Sequence, residues 1–236
     1  RPQAVIHAAD IANIDYCEAH RGEAEAVNVH VTQHLAELCH AHGIRLIFCS
    51  TDTVFDGQRG GYREQDAPVP LNFYAKTKIQ AEKIVRETLA DSAVARLSLV
   101  LGLPLVGSGN SFLARMIADF EAGRTVRMAD NEIRTPIDVV TLGRALLELA
   151  GNDFQGIIHL AGNTRLDRYE MGLRIARRLG CSADLVHAIN SNALAGRAPR
   201  PDDASLDNSL ARSVLKTPML GLEEGLDLAL ETVKKK

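Results

Sequence analysis

Short, mostly apolar runs alternate along the chain with longer amphipathic stretches. Ala4–Ala8, Ile44–Cys49, Val94–Val100 and Ile157–Leu160 have strand length and little polar alternation, as expected of strands covered on both faces. Glu23–His42 carries Val27, Val31, Leu35 and Leu38 at helical spacing. It predicts a helix with those four on its inward face, stopped by Gly43. Phe73–Leu89, Ser111–Ala122, Asp138–Ala150 and Asp167–Leu179 predict further helices. Gly123, Gly151 and Gly180 close three of them, and Asp138 is placed to cap one. Thr125–Met128 reads as a short strand. Ser209–Leu215 and Leu222–Lys235 read as helices, with the lysines 234–236 as a solvated helix end. Ser50–Leu71, Pro104–Asn110 and Asn190–Ser205 show neither period and read as loops.

Strands separated by helices predict an α/β fold, a doubly wound parallel sheet with helices on both faces. Ligands of such sheets bind beyond the carboxyl ends of the strands. The loops after Ala8, Cys49 and Val100 are therefore the candidates.

The charge balance narrows the partners. Lys plus Arg is 27 and Asp plus Glu is 30, a net charge of −3. Neither nucleic acid nor a membrane is expected as a partner. No apolar run approaches the ~20 residues of a bilayer span. Cys17, Cys39, Cys49 and Cys181 form no C-x-x-C pair and are expected to be reduced, in a cytoplasmic protein. No signal peptide is recognisable at the start.

Tyr74 and Lys78 are four apart at the start of a predicted helix, so both lie on one face. An ammonium beside a phenol favours the phenolate and is expected to lower the Tyr74 pKa toward working pH. Such a tyrosine serves as general acid or base. Ser50-Thr51-Asp52 ends the strand before it, offering a hydroxyl to a substrate carbonyl. His30 and His34 are also four apart, but no further ligand completes a tetrahedron, so no metal is expected. A serine hydrolase would need a G-x-S-x-G turn, which the sequence lacks.

A strand-end hydroxyl, a long loop and Tyr-x-x-x-Lys together resemble the extended short-chain dehydrogenase/reductase family. The branch most similar is that of the dTDP-4-dehydrorhamnose reductases. The matching stretches are Ser50-Thr51-Asp52-Thr53-Val54-Phe55-Asp56-Gly57, Tyr62-Arg63-Glu64 and Pro70-Leu71-Asn72-Phe73-Tyr74-Ala75-Lys76-Thr77-Lys78. Gly109-Asn110-Ser111-Phe112, Ile133-Arg134-Thr135-Pro136, His159-Leu160-Ala161-Gly162 and Arg200-Pro201 come after them in the same order.

The resemblance implies a Rossmann-like NAD(P)-binding core in residues 1–103. It implies a smaller α/β substrate-binding part in residues 104–236, interleaved with the last core elements. It implies Thr51, Tyr74 and Lys78 as catalytic residues. His7, Ala8, Ala9, Asn28 and Ser50, with Tyr74 and Lys78, would hold NADPH or NADH. Thr51, Asp52, Asn110, Phe112, Arg134 and Arg200 would hold a sugar nucleotide. It also implies pairing of two copies through helices 23–42 and 73–90.

Thr53 stands where the branch usually has Tyr, and Leu99 where it often has Trp. The glycine-rich dinucleotide fingerprint is absent, and Gly107-x-Gly109 follows the wrong strand to replace it. The chain has no initiating Met, and on the order of 50–60 residues, about two βα units, are expected ahead of it. The activity implied is NAD(P)H-dependent reduction of a nucleotide-linked 4-keto-6-deoxysugar. The alternatives are an NAD-dependent sugar-nucleotide epimerase, or a non-catalytic dinucleotide-binding subunit similar to the beta subunit of methionine adenosyltransferase.

Overall fold

The computed structural model describes residues 1–104 and 111–234. In chain order the strands are β1 (Ala4–His7), β2 (Arg45–Thr51), β3 (Ser92–Leu97), β4 (Val100–Leu101), β5 (Val126–Ala129), β6 (Ile133–Arg134), β7 (Ile137–Asp138), β8 (Gly156–Leu160), β9 (Leu166–Asp167) and β10 (Val186–Ile189). The helices are α1 (Ile14–Ala19), α2 (Arg21–Glu25), α3 (Val31–His42), α4 (Phe73–Thr88), α5 (Phe112–Glu121), α6 (Val139–Ala150), α7 (Arg168–Arg178), α8 (Ser209–Val214) and α9 (Leu222–Lys234).

The central sheet runs β1-β2-β3-β8, all parallel. Every residue of β2 is buried, because both faces are covered. Leu46, Phe48 and Val94 pack with Ala36, Cys39, Ala81 and Val85 of α3 and α4 on one side. Ile47, Ala93, Ala95 and Ile158 pack with Leu142, Ala145, Leu149 and Ala211 of α6 and α8 on the other. This is the expected α/β architecture. A third cluster joins α5, α7 and α9 around β5 and β10.

Several expectations need correction. The helix foreseen over 23–42 is α2 and α3 joined by a π-helical turn at Ala26–His30. Such a turn inserts one residue into the ladder and rotates the turns after it. The face turned inward is thus Ala24, Asn28, Thr32, Ala36 and Cys39, whereas Val31 and Leu38 are exposed. Helix α1 was not foreseen; Asn13 caps it by accepting the Tyr16 N–H. The strand expected to reach Val100 stops at Leu97. A parallel pairing of β10 with β5 was also missed.

Residues 197–203 form a strap that lies across these elements. Its seat is Gly57, at φ +76°, where an added Cβ would fall 2.5 Å from the Asp202 nitrogen. The Ile133 N–H donates to the Asp202 carbonyl at 2.6 Å, and the Asp203 N–H to that of Gly57 at 3.0 Å.

His159 in β8 is wholly buried. Its Nδ1 lies 3.1 Å from the Tyr62 carbonyl, and its ring meets that of Phe55 edge-on. Burial, with help from Arg96, lowers its pKa from the ordinary 6.5 to about 4. The unfolded chain therefore takes up a proton that the folded one refuses. Stability is full above pH 6.5 and falls as pH drops toward 4, by roughly 3 kcal/mol. Urea titrations at pH 7 and pH 4.5 should show His159→Gln losing about 2 kcal/mol less than the parent over this interval. Equal losses in both would contradict this assignment.

Candidate active site

Helix α4 starts at Asn72, whose side chain accepts the Ala75 N–H at 2.9 Å. From there Tyr74, Lys78 and Glu82 succeed one another at intervals of four along one face, and all three are buried. Glu82 anchors the stripe. Its carboxylate takes two hydrogen bonds from the Arg96 guanidinium of β3, at 3.0 and 2.8 Å, and one from the Ser50 hydroxyl of β2, at 2.5 Å. One turn earlier, the Lys78 ammonium donates to the Cys49 carbonyl at 2.7 Å and to Asp10 at 3.0 Å. Another turn earlier, the Tyr74 hydroxyl donates to the same Asp10 oxygen, also at 3.0 Å.

Asp10 changes the expected electrostatics. Burial pushes the Tyr74 pKa well above its usual 10, and the Asp10 charge and hydrogen bond push it further. The lowering expected from Lys78 is not what the geometry delivers, because Asp10 bridges the ammonium and the phenol. Tyr74 is held as a protonated phenol.

Thr51 lies beside Tyr74 at the end of β2. Its hydroxyl accepts the Thr53 N–H at 3.2 Å and lies 3.0 Å from the Thr53 hydroxyl. Asp52 is buried and accepts from the Ser98 hydroxyl at 3.3 Å, with the Arg134 guanidinium 3.6 Å away. Burial raises its pKa, with Arg134 opposing.

These groups open onto a cavity of about 800 Å³. Ala8, Asp10, Ser50, Thr51, Asp52, Tyr74, Phe112, Arg134 and Arg200 all line it. Ala9 is exposed and does not belong to its wall. His7 is turned inward, its Nε2 3.0 Å from the Thr32 hydroxyl. Asn28 is also internal: its side chain accepts the Ile11 N–H at 2.8 Å and donates to the Ile11 carbonyl at 3.2 Å and to Thr77 at 3.1 Å. It supports the loop after β1 instead of facing the cavity. Lys78 reaches the cavity edge through Asp10. Asn110, like Gly107 and Gly109, lies outside the described residues.

The sequence reading missed Asp10, Asp15, Arg115, Glu132, Arg168 and Arg197, which also line the cavity. Asp15, at the start of α1, takes a two-pronged ion pair from Arg200 at 2.9 and 2.7 Å and the Ala198 N–H at 2.9 Å. The hydrogen bond from Arg200 holds its carboxyl below the usual range. Only Asp10 left a signal in the sequence. It directly follows His7-Ala8-Ala9 at the carboxyl end of a strand, where ligand loops are expected.

The model of the RmlD substrate binding domain matches residues 1–235. The chain belongs to that family. Bovine methionine adenosyltransferase 2 subunit beta is 32% identical over 236 residues, covering 96% of this chain and 70% of that protein. The dTDP-4-dehydrorhamnose reductase of Mycobacterium tuberculosis H37Rv is 30% identical over 232 residues, covering 96% of this chain and 75% of its own. The crystal structure of dTDP-4-dehydrorhamnose reductase from Bacillus anthracis in complex with NADP superposes with a TM-score of 0.90 at 24% identity. It covers 98% of this chain and 81% of its own, and shows the fold. Within the family frame, Thr53 and Leu99, the two positions where an aromatic ring was expected, both line the cavity.

Replacing Asp10 with Asn removes the carboxylate that disfavours the phenolate. The Tyr74 phenol should then titrate at lower pH, though still above its ordinary value because burial remains. The ultraviolet phenolate signal, taken as the difference between Asp10→Asn and Asp10→Asn/Tyr74→Phe, reads this directly. A titration unmoved from that of the parent would contradict it.

Proposed function

We propose that this protein reduces the 4-keto group of a nucleotide-linked 6-deoxysugar with a nicotinamide cofactor. The observation that carries the reading is a protonated Tyr74 beside Lys78 and Thr51, opening onto an arginine-lined cavity. Relatives named as dTDP-4-dehydrorhamnose reductases, and a structural neighbour solved with NADP, support it.

The residues present fit the nicotinamide end of such a cofactor. Lys78 offers a buried ammonium for ribose hydroxyls, and Ala8 offers a small wall beside it. The cofactor, when bound, supplies the hydride; the choice between NADPH and NADH stays open. Thr51 donates its hydroxyl to the substrate carbonyl and orients it. Tyr74 Oη delivers its proton to the carbonyl oxygen as the carbon is reduced. Lys78 stabilises the negative charge left on Tyr74. Arg134 and Arg200, with Arg115, Arg168 and Arg197, suit the diphosphate, since guanidinium forks match phosphate oxygens in pairs. Phe112 provides an apolar wall, and residues 104–236 act as the substrate-binding part.

The similarity to methionine adenosyltransferase beta subunits favours one other reading, a regulatory subunit that binds a dinucleotide without turnover. A single assay separates the two. NADPH or NADH consumption with dTDP-4-dehydro-6-deoxysugar supports the reductase. Tyr74→Phe should then cut kcat by about 100-fold or more, the usual share of a positioned acid. Full activity in that variant overturns the mechanism, and no consumption by the parent favours the regulatory subunit.

A further inference from the structure

The wall that would face the diphosphate is organised around a carboxylate. Glu132 lies just before β6 and is 2% exposed. Three guanidiniums surround it, from Arg197 on the strap at 3.2 Å, Arg168 at the start of α7 at 3.6 Å and Arg134 in β6 at 3.9 Å. The Arg168 backbone N–H also donates to the Glu132 carbonyl at 3.1 Å, and its guanidinium lies over the Phe112 ring. All three arginines and Glu132 line the one cavity.

Charge counting separates this cluster from an ordinary structural ion pair. Asp52 faces Arg134 as well, so two buried carboxylates stand against three guanidiniums in this wall. Buried charge is tolerated when it is paired. The excess positive charge is left on the cavity side, where it calls for an anion. Three long side chains from three separate elements would otherwise spend rotamer entropy on finding that anion. Burial pushes the Glu132 pKa up, but Arg168, Ser191, Arg134 and Arg197 outweigh it and hold the group ionised.

We infer that Glu132 is a positioning residue. Its buried carboxylate holds Arg134, Arg168 and Arg197 as a preformed fork for the diphosphate of a nucleotide ligand. The inference rests on the sugar-nucleotide reading for the identity of that ligand, and its test separates the two.

Calorimetric titration with UDP, dTDP and inorganic pyrophosphate is the experiment, on the parent, Glu132→Gln and Glu132→Asp. Glu132→Gln should weaken binding about tenfold and raise KM more than it lowers kcat, although it adds net positive charge to the cavity. Glu132→Asp keeps the charge and the fold but withdraws it by one methylene, so an intermediate loss is expected. A melting temperature within a few degrees of the parent shows that the loss is not unfolding. Unchanged or tighter binding by Glu132→Gln overturns the inference. If Glu132→Gln does not fold, parental affinity in Glu132→Asp overturns it. A parent that binds pyrophosphate in a Glu132-dependent way but neither nucleotide refutes the sugar-nucleotide reading alone. A parent that binds none of the three refutes both.

Discussion

The Glu82–Arg96 ion pair fixes where Lys78 and Tyr74 stand. It joins the middle of α4 to β3, with Ser50 adding β2 as the third point. Both partners are almost fully buried. Removing either would strand the other charge in the core, at about 3–5 kcal/mol. The pair therefore sets both the height and the rotation of α4 against the sheet. Lys78 and Tyr74 lie one and two turns further along the same stripe. With Glu82 seated, Lys78 meets the Cys49 carbonyl and Tyr74 meets the end of β2. Tyr74 and Lys78 are positioned from the far end of the stripe by a contact that lies outside the cavity wall.

The opposite side of the cavity obeys the same logic with the signs exchanged. Here arginines face the open space and carboxylates stand behind or beside them. Asp15 ties Arg200 to α1, and Glu132 gathers Arg197 with Arg134 and Arg168. Arg197 and Arg200 both lie on the strap. The turn at Gly57 allows the strap to approach so closely. The strap is thus held by the same side chains that would contact an anion. The strap and the cavity wall share the same charged side chains.

How much was legible in the sequence depends on the range of each interaction. Tyr74 and Lys78 are related by helix period, so their shared face could be read directly. The parallel α/β sheet was legible because strands covered on both sides carry apolar runs. Arg134, Arg200 and Phe112 were reachable through resemblance, and the cavity does bring them together. Asp10 contacts residues more than sixty positions away, and no local pattern announces such a meeting. Glu132 looks like any loop glutamate until Arg168 and Arg197 from distant parts of the chain join its neighbour Arg134 around it. The inward face of residues 21–42 was misread because one π turn shifts the phase of the helix. Nothing in the composition marks that turn, within which Asn28 bonds to Ile11 and Thr77. His7 and Asn28 matched family positions by sequence, yet both spend their polar atoms inside the protein.

The misjudged phenol bears on the direction of chemistry. A lysine alone would have favoured tyrosinate, a base suited to taking a proton from an alcohol. Asp10 places a carboxylate against the same phenol, and burial adds to its effect. The influences that disfavour negative charge on the phenol thus prevail, burial first and Asp10 next. A phenol that keeps its proton at neutral pH is an acid in waiting. It can give that proton to an oxygen on which charge develops, at the moment a hydride reaches the adjacent carbon. The nearby ammonium gains its full effect only then, when the phenolate appears, which is stabilisation of the transition state more than of the resting site. Burial and Asp10 thus keep Tyr74 protonated, and in the proposed reaction Lys78 would stabilise the phenolate once it forms. That division of work suits reduction of a carbonyl better than oxidation of an alcohol.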